Sequence, residues 1–323
     1  MNTRMTIRLS ILLAAALLAI PAVNAKHRGG GGGEADEHRR KGVEFADAKQ
    51  FDKAVEEFSK EVAAAPDSPE VYRDRGTAYR AAGRAAIAAN DGPSAAARFN
   101  SSYADFSKMI ELAPKSPTGY IERAQTQLAQ IQYDGAVNDL NKALELKGDE
   151  ALVYKFRGFA YVGARQWDKA VADFTTAIQK NPNDQQNYDQ RALAYRSLSN
   201  FPAAIQDYTT AIEKNPTYQP EYARRGYTYA LAEEYEKAIA DYQQALKMEP
   251  NDQETVERLK YAQGRLAAKN APPPAPTPTP SGPIFTPVRI FIGIVILTIV
   301  AAIVRYFTRG KAEEPPISST RIR

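Results

Sequence analysis

The sequence predicts an all-α repeat solenoid followed by a single membrane-spanning helix. Two observations carry this prediction. A pattern of aromatic, small and charged residues returns every 34 residues through the middle of the chain. Nearer the C-terminus, residues 290–304 form an apolar stretch without a single charge. The composition agrees, since 44% hydrophobic and 25% charged residues are globular proportions for the 323-residue chain. There is no cysteine, and the two histidines are His27 and His38. Disulfides, thiolate metal sites and cysteine nucleophiles are therefore excluded.

In chain order, Arg4 and Arg8 precede an apolar run from Ile11 to Ile20, then Pro21 and Ala22-Val23-Asn24-Ala25. Val23 and Ala25 suit the small pockets of a signal peptidase, so residues 1–25 read as a signal peptide cleaved after Ala25. The alternative is an uncleaved anchor, for which about a dozen apolar residues are short against a ~30 Å hydrocarbon core. Residues 26–34, with Gly29 to Gly33, read as a flexible tether. No strand precedes these glycines and no Gly-Lys-Ser/Thr follows them, so they do not read as a phosphate loop.

The repeats come next. Tyr154-x-x-Arg157-Gly158-x-x-Tyr161 returns as Tyr188-x-x-Arg191-Ala192-x-x-Tyr195 and as Tyr222-x-x-Arg225-Gly226-x-x-Tyr229. The second halves match as Ala170, Ala204, Ala238; Phe174, Tyr208, Tyr242; Ala177, Ala211, Ala245; and Pro182, Pro216, Pro250. This pattern resembles the tetratricopeptide repeat, whose unit is a helix–turn–helix with small residues at positions 8, 20 and 27 and proline at 32. Small residues at 8 and 20 allow helices A and B to approach closely, aromatics fill the remaining volume, and the proline stops helix B. The resemblance covers units at 35–68, 69–116, 117–150, 151–184, 185–218 and 219–252. Unit 1 is degenerate, with His38 at an aromatic position, and unit 3 has Gly148 in place of the terminal proline. Residues 253–268, with Val256 and Leu259, form an amphipathic helix that caps the last unit, because an open solenoid end would expose its core.

Unit 2 is 14 residues longer than the others. Fourteen is two heptads, so seven residues added to each helix lengthen both by ~10 Å and keep the facing stripes in register. Ala85 to Ala89 favour helix, Asn90-Asp91-Gly92-Pro93 reads as the turn, and Phe99, Tyr103, Phe106 and Ile110 share one stripe. A protruding helical hairpin is expected. Asn100-Ser101-Ser102 is formally a glycosylation sequon, read here as chance because it falls within a helix.

Two charges repeat with the period. Position 7 is Arg75, Arg123, Arg157, Arg191 and Arg225 in units 2 to 6, and position 23 is Asp105, Asp139, Asp173, Asp207 and Asp241. An arginine ladder for anionic ligands is one reading. An internal ion pair between helices A and B is the other, favoured because Lys41 and Glu57 stand at these two positions in unit 1 and keep both charges. A guanidinium fork fits a carboxylate bidentately and so orients the two helices.

The resemblance implies that partners bind on the concave face, lined by helix A positions 2, 5, 9, 12 and 13. Transferred to this sequence, position 9 supplies Phe159, Leu193 and Tyr227, and Val162 and Leu231 add apolar surface. Arg73, Arg80, Lys155 and Arg196 supply cations. Such a strip suits an extended or helical peptide of acidic character. Position 9 side chains can equally pack between neighbouring repeats. The family's clamp for chaperone C-termini wants Lys at 5 and Asn at 9, and Lys155 is followed by Phe159, so chaperone-tail binding is not expected.

Residues 269–287 are proline-rich and read as an extended spacer, with an SH3-type ligand as the less common meaning. Residues 288–307 are long enough to span a bilayer. Arg305, Arg309, Lys311, Arg321 and Arg323 follow the span, whereas Arg289 alone is basic close to its other end. The positive-inside bias therefore puts residues 308–323 in the cytoplasm and the array outside it, as a signal peptide also requires. A bacterial inner-membrane protein with a periplasmic domain is the expected address. The net charge of +4 arises from these flanks, and residues 34–288 carry −4, so the basic pI does not argue for nucleic acid. Neither nucleophile nor metal-ligand spacing is present, so the expected function is a non-enzymatic scaffold without cofactor or small-molecule substrate, binding a protein or peptide. The alternative is a self-associating envelope spacer.

Overall fold

A computed structural model describes residues 33–271 and 287–309, and among them the chain forms fourteen α-helices and no strand. The expected signal peptide, most of the glycine tether, most of the proline-rich spacer and residues 310–323 lie outside the described residues. The chain divides into two compact units, one ending at Lys269 and the other beginning at Asn270.

Six helix pairs build the first. They are α1 (Glu34–Asp47) with α2 (Phe51–Ala64), α3 (Pro69–Ala88) with α4 (Gly92–Leu112), and α5 (Pro117–Ala129) with α6 (Tyr133–Glu145). Then follow α7 (Glu150–Gly163) with α8 (Trp167–Lys180), α9 (Gln185–Ser197) with α10 (Phe201–Lys214), and α11 (Gln219–Leu231) with α12 (Tyr235–Met248). The first helix of each pair is A and the second is B. Caps mark the starts: Asp91, Asp149 and Asn200 accept from the backbone N–H three residues on, and Pro69 and Pro117 open α3 and α5 where a missing N–H costs nothing.

The A–B turns share one geometry. In unit 3 the Gln132 N–H donates to the Gln127 carbonyl at 2.8 Å and the Ile131 N–H to the Leu128 carbonyl at 3.1 Å, which is a Schellman motif. The residue in the left-handed conformation is Lys49, Asn90, Ile131, Arg165, Ser199 or Glu233, with φ between 57° and 64°, and none of these is glycine. Unit 3 uses the motif a second time. It lacks the proline that stops helix B elsewhere, and α6 ends instead with Lys147 at φ 58° and the Gly148 N–H donating to the Ala143 carbonyl.

Where the A and B helices of a unit cross, small residues meet rings. Ala54, Ala136, Ala170, Ala204 and Ala238 on the B helices are fully buried. The position 24 side chains, Phe58, Phe106, Leu140, Phe174, Tyr208 and Tyr242, are at most 1% exposed and form the spine of the core. In unit 2 this crossing occurs twice. The Phe106 ring lies against Gly76 and the Phe99 ring against Gly83, seven residues nearer the A–B turn on each helix. The helices α3 and α4 have 20 and 21 residues against 13 or 14 in the other pairs, which is the heptad extension in each.

The array ends on α13 (Gln253–Asn270), whose Leu259, Ala262 and Leu266 pack on Tyr235, Ala238 and Tyr242. Its outer residues Glu257, Lys260 and Tyr261 face solvent. The second compact unit holds α14 (Pro287–Arg309), of 23 residues. Ile290–Phe307 has a mean hydropathy of 2.5 and none of it is buried, so the helix is long and apolar enough to cross a membrane.

Candidate partner-binding groove

In units 1 to 4 each A helix touches the A helix of the next unit as well as its own B partner. A helices therefore line the inner face of the array. Between α9 and α11 this approach loosens, and a cleft of about 300 Å³ opens, closed at its far side by the start of α13. Its walls include Leu193, Arg196, Tyr208, Arg224, Tyr227 and Arg258.

The cleft is rich in charge, and most of that charge is already partnered. Arg224 donates to Asp189 Oδ1 at 2.7 Å and to Glu221 Oε1 at 3.2 Å. Asp189 Oδ2 accepts from Gln190 at 2.8 Å. Glu221 is 1% exposed, and burial together with the Asp189 charge raises its pKa well above the usual carboxylate range, so it is protonated at neutral pH. Asp252 caps α13 and accepts from Thr255 and Gln219, and Arg258 pairs with Glu254 at 2.6 Å. Among the described residues no carboxylate lies within ion-pair distance of Arg196. Its guanidinium sits 5.9 Å from the Tyr208 ring centroid and 5.2 Å from that of Tyr227, which Arg258 also approaches, to 4.7 Å.

The sequence-predicted groove residues divide into three sets. Leu193 and Tyr227 are half-buried cleft walls, Arg196 joins them, and Leu231 is exposed nearby on α11. Phe159 and Val162 are fully buried. Phe159 meets the ring of Phe174 edge-on at 5.6 Å, so here position 9 packs within the array, and Val162 lies beneath the cleft as its floor. The third set is cations that are not free. Arg80, 3% exposed, is held by the Glu122 carboxylate at 2.5 Å and the Glu122 carbonyl at 2.8 Å. Lys155 pairs with Asp184 at 2.6 Å, and Arg73 donates twice to Asp74 Oδ1 at 3.1 Å. Arg84 lies close enough to Arg80 to feel its charge, and burial with that charge pushes its pKa down to about 10.

Away from the cleft, Arg75, Arg123, Arg157, Arg191 and Arg225 each bind Asp105, Asp139, Asp173, Asp207 and Asp241 respectively through Nε and Nη2, at 2.7–2.9 Å. The third nitrogen reaches back to the B helix of the preceding unit, as Arg123 to Ser107, Arg157 to Asn141, Arg191 to Thr175 and Arg225 to Thr209. All five forks thus tie helix A to helix B, and these four also tie one unit to the last. Unit 1 departs from expectation. Lys41 pairs with Glu37 on its own helix, and the Glu57 carboxylate is met by His38 Nδ1 at 2.8 Å and by Lys60. An ammonium at position 41 finds a carboxylate one turn away, while the imidazole at position 38 already faces α2.

Two further pairs cross between units at a spacing of 35 residues: Arg39 with Asp74, and Asp189 with Arg224, both at 2.7 Å. The charges are swapped between the two. Opposite signs at position 5 of one unit and position 6 of the next were the available sequence signal.

A profile of the tetratricopeptide repeat matches residues 220–252, which is unit 6. No curated protein matches the chain significantly. Among solved structures, a chain of the APC/C hetero-tetramer Cut9–Hcn1 aligns with 79% of this chain and 46% of its own length, at 15% identity and a TM-score of 0.56, a likeness of fold. The chain thus spans about half the length of that protein. YrrB, a TPR protein with an unusual peptide-binding site, aligns over 63% of this chain and 97% of its own length, at 19% identity and a TM-score of 0.49. The first TPR domain of human RPAP3 aligns over 37% of this chain and 94% of its own length, at 32% identity and a TM-score of 0.36. The profile match falls on one of six units that repeat the same residues at the same positions, so the array is built of tetratricopeptide repeats.

Proposed function

We propose that this protein is a membrane-anchored, non-enzymatic scaffold that holds a peptide segment of an envelope partner in the groove lined by its A helices. The tetratricopeptide fold is a protein-interaction fold, and the observation that carries the reading is the cleft between α9, α11 and α13. There, half-buried Leu193 and Tyr227 stand beside an arginine that the array itself does not neutralise. Apolar walls with a small number of placed polar groups are what a peptide anchor requires. The apolar α14 supports attachment to a bilayer. The basic residues after it and the signal-like N-terminus support a periplasmic array, a cytoplasmic tail and an inner-membrane address.

A self-associating spacer is the second reading. The polar outer face of α13 disfavours stacking of arrays end to end, because it offers little apolar surface to a second copy. The test is crosslinking of the full-length protein in its own membrane, with Tyr227→Ala and Leu231→Asp compared with wild type. Loss of a heterologous adduct at unchanged melting temperature is the expected result. An adduct at twice the mass of the chain, insensitive to both substitutions, would replace the scaffold with the spacer.

A further inference from the structure

Two of the side chains that line the cleft carry a polar atom that the fold leaves unused. Tyr208 is fully buried, and among the described residues its hydroxyl has no hydrogen-bond partner. Gln190 is 5% exposed, and while its amide nitrogen donates to Asp189, its Oε1 accepts from nothing. A buried hydroxyl or amide without a partner is costly, and packing does not require this one. Position 24, where Tyr208 stands, is phenylalanine in units 1, 2 and 4 (Phe58, Phe106, Phe174), all equally buried. The hydroxyl is an addition to a core position that is complete without it, on a residue that lines the cleft.

Three groups with complementary chemistry therefore border one cavity. Arg196 offers uncommitted positive charge, Tyr208 offers a donor buried from water, and Gln190 offers an acceptor. The acidic neighbours do not satisfy them, since Asp189 is taken by Arg224, Glu254 by Arg258, and Asp252 by Thr255 and Gln219. A carboxylate answers the first two groups, and a backbone N–H of the same residue answers the third. One uncommitted cation matches one negative charge, while Asp252 and Glu254 in the lining repel a second.

The geometry points to a pocket that selects a single internal acidic side chain of an extended partner peptide, its carboxylate held by Arg196 and the Tyr208 hydroxyl and its main-chain N–H by Gln190. This rests on the groove reading above and names what that groove selects. Charge-assisted hydrogen bonds inside a buried site are among the stronger polar contacts, and losing one costs about tenfold in affinity.

The experiment selects random dodecapeptides displayed on phage against the full-length protein in lipid nanodiscs. Enriched sequences are synthesised with amidated C-termini and their binding measured by fluorescence anisotropy. The expected consensus has one Glu or Asp among uncharged residues, and replacing it by Gln or Asn weakens binding about tenfold. Tyr208→Phe and Arg196→Gln should each weaken the acidic peptide about tenfold and the neutral one less than about twofold, at unchanged melting temperature. Wild-type affinity in both variants, with Tyr227→Ala still weakening the peptide, would overturn the carboxylate pocket and leave the groove reading intact. Binding that depends on a free C-terminal carboxylate would overturn the internal side chain. If no peptide is enriched at all, both this pocket and the groove reading fall.

Discussion

At the scale of the residue, the array stores cost in its turns and support in its ion pairs. Ile131 is β-branched, 55% exposed, and held at φ 64°, a conformation that L-residues adopt at a cost of about 1–2 kcal/mol. Ile131→Gly should raise stability by about 1 kcal/mol, read as a higher melting temperature, because the Schellman hydrogen bonds come from the backbone alone. A lower melting temperature would mean that the Ile131 side chain contributes packing that its exposure does not indicate. The Arg157–Asp173 pair acts in the opposite direction. Asp173→Ala leaves a half-desolvated guanidinium and should cost about 2–3 kcal/mol, less than a fully buried pair because Arg157 retains 17% exposure. Reversing the pair should restore only part of this. The exchanged arginine forfeits the bond to Asn141 and the contacts of the Arg157 guanidinium with the rings of Tyr154 and Tyr161. Full recovery in thermal melts would reduce the fork to a simple charge pair. The ladder was legible in the sequence because both partners keep the 34-residue period. The pairings of Arg80 with Glu122 and Lys155 with Asp184 were not, because their spacings of 42 and 29 residues depart from it. Arginines and a lysine counted as groove cations are, for that reason, already neutralised.

At the scale of the element, helix pairs are fixed by small residues and by what lies opposite them. Gly163 closes α7 where the Tyr133 ring at the start of α6 lies over it, so an added Cβ would overlap that ring. Gly163→Ala should destabilise by about 1–3 kcal/mol in denaturant melts, as overpacking does, and a neutral result would mean that α6 and α7 can separate freely. Between α2 and α3 a carboxyl is buried instead. Burial and the Asp74 charge push the Glu61 pKa up to about 8, from 4.5 for an unperturbed group. The folded state therefore holds a proton that the unfolded state releases, and the contribution of Glu61 to stability is complete below 4.5 and is lost progressively as pH rises to about 8. Glu61→Gln should remove this dependence, flattening the melting temperature between those limits, whereas an unchanged slope would assign it to other groups. The pairing of the helices and the heptad extension of both helices of unit 2 could be read from period and heptad arithmetic. The fate of position 9 could not. Phe159 is fully buried while Leu193 and Tyr227 stand half-buried in the cleft, because burial there depends on how closely the next A helix approaches, and that distance is absent from the repeat pattern.

At the scale of the whole molecule, the proposed scaffold joins a groove to an anchor. The absence of native cysteine makes its orientation directly testable. Gly264→Cys, on the exposed side of α13 with open space around it, should react with a membrane-impermeant maleimide in intact spheroplasts. Ser318→Cys should react only after lysis, and the opposite pattern would invert the topology. The central claim, that the A-helix face rather than the outer face receives a partner, is tested most directly by a photoreactive amino acid placed singly in the full-length protein in living cells. One copy carries it at Leu231, 41% exposed beside the cleft, and another at Glu145, an exposed residue of the B helix α6. A discrete adduct to a second kind of polypeptide is expected from position 231 and none from position 145. Equal labelling from both positions, or an adduct from position 145 alone, would contradict it.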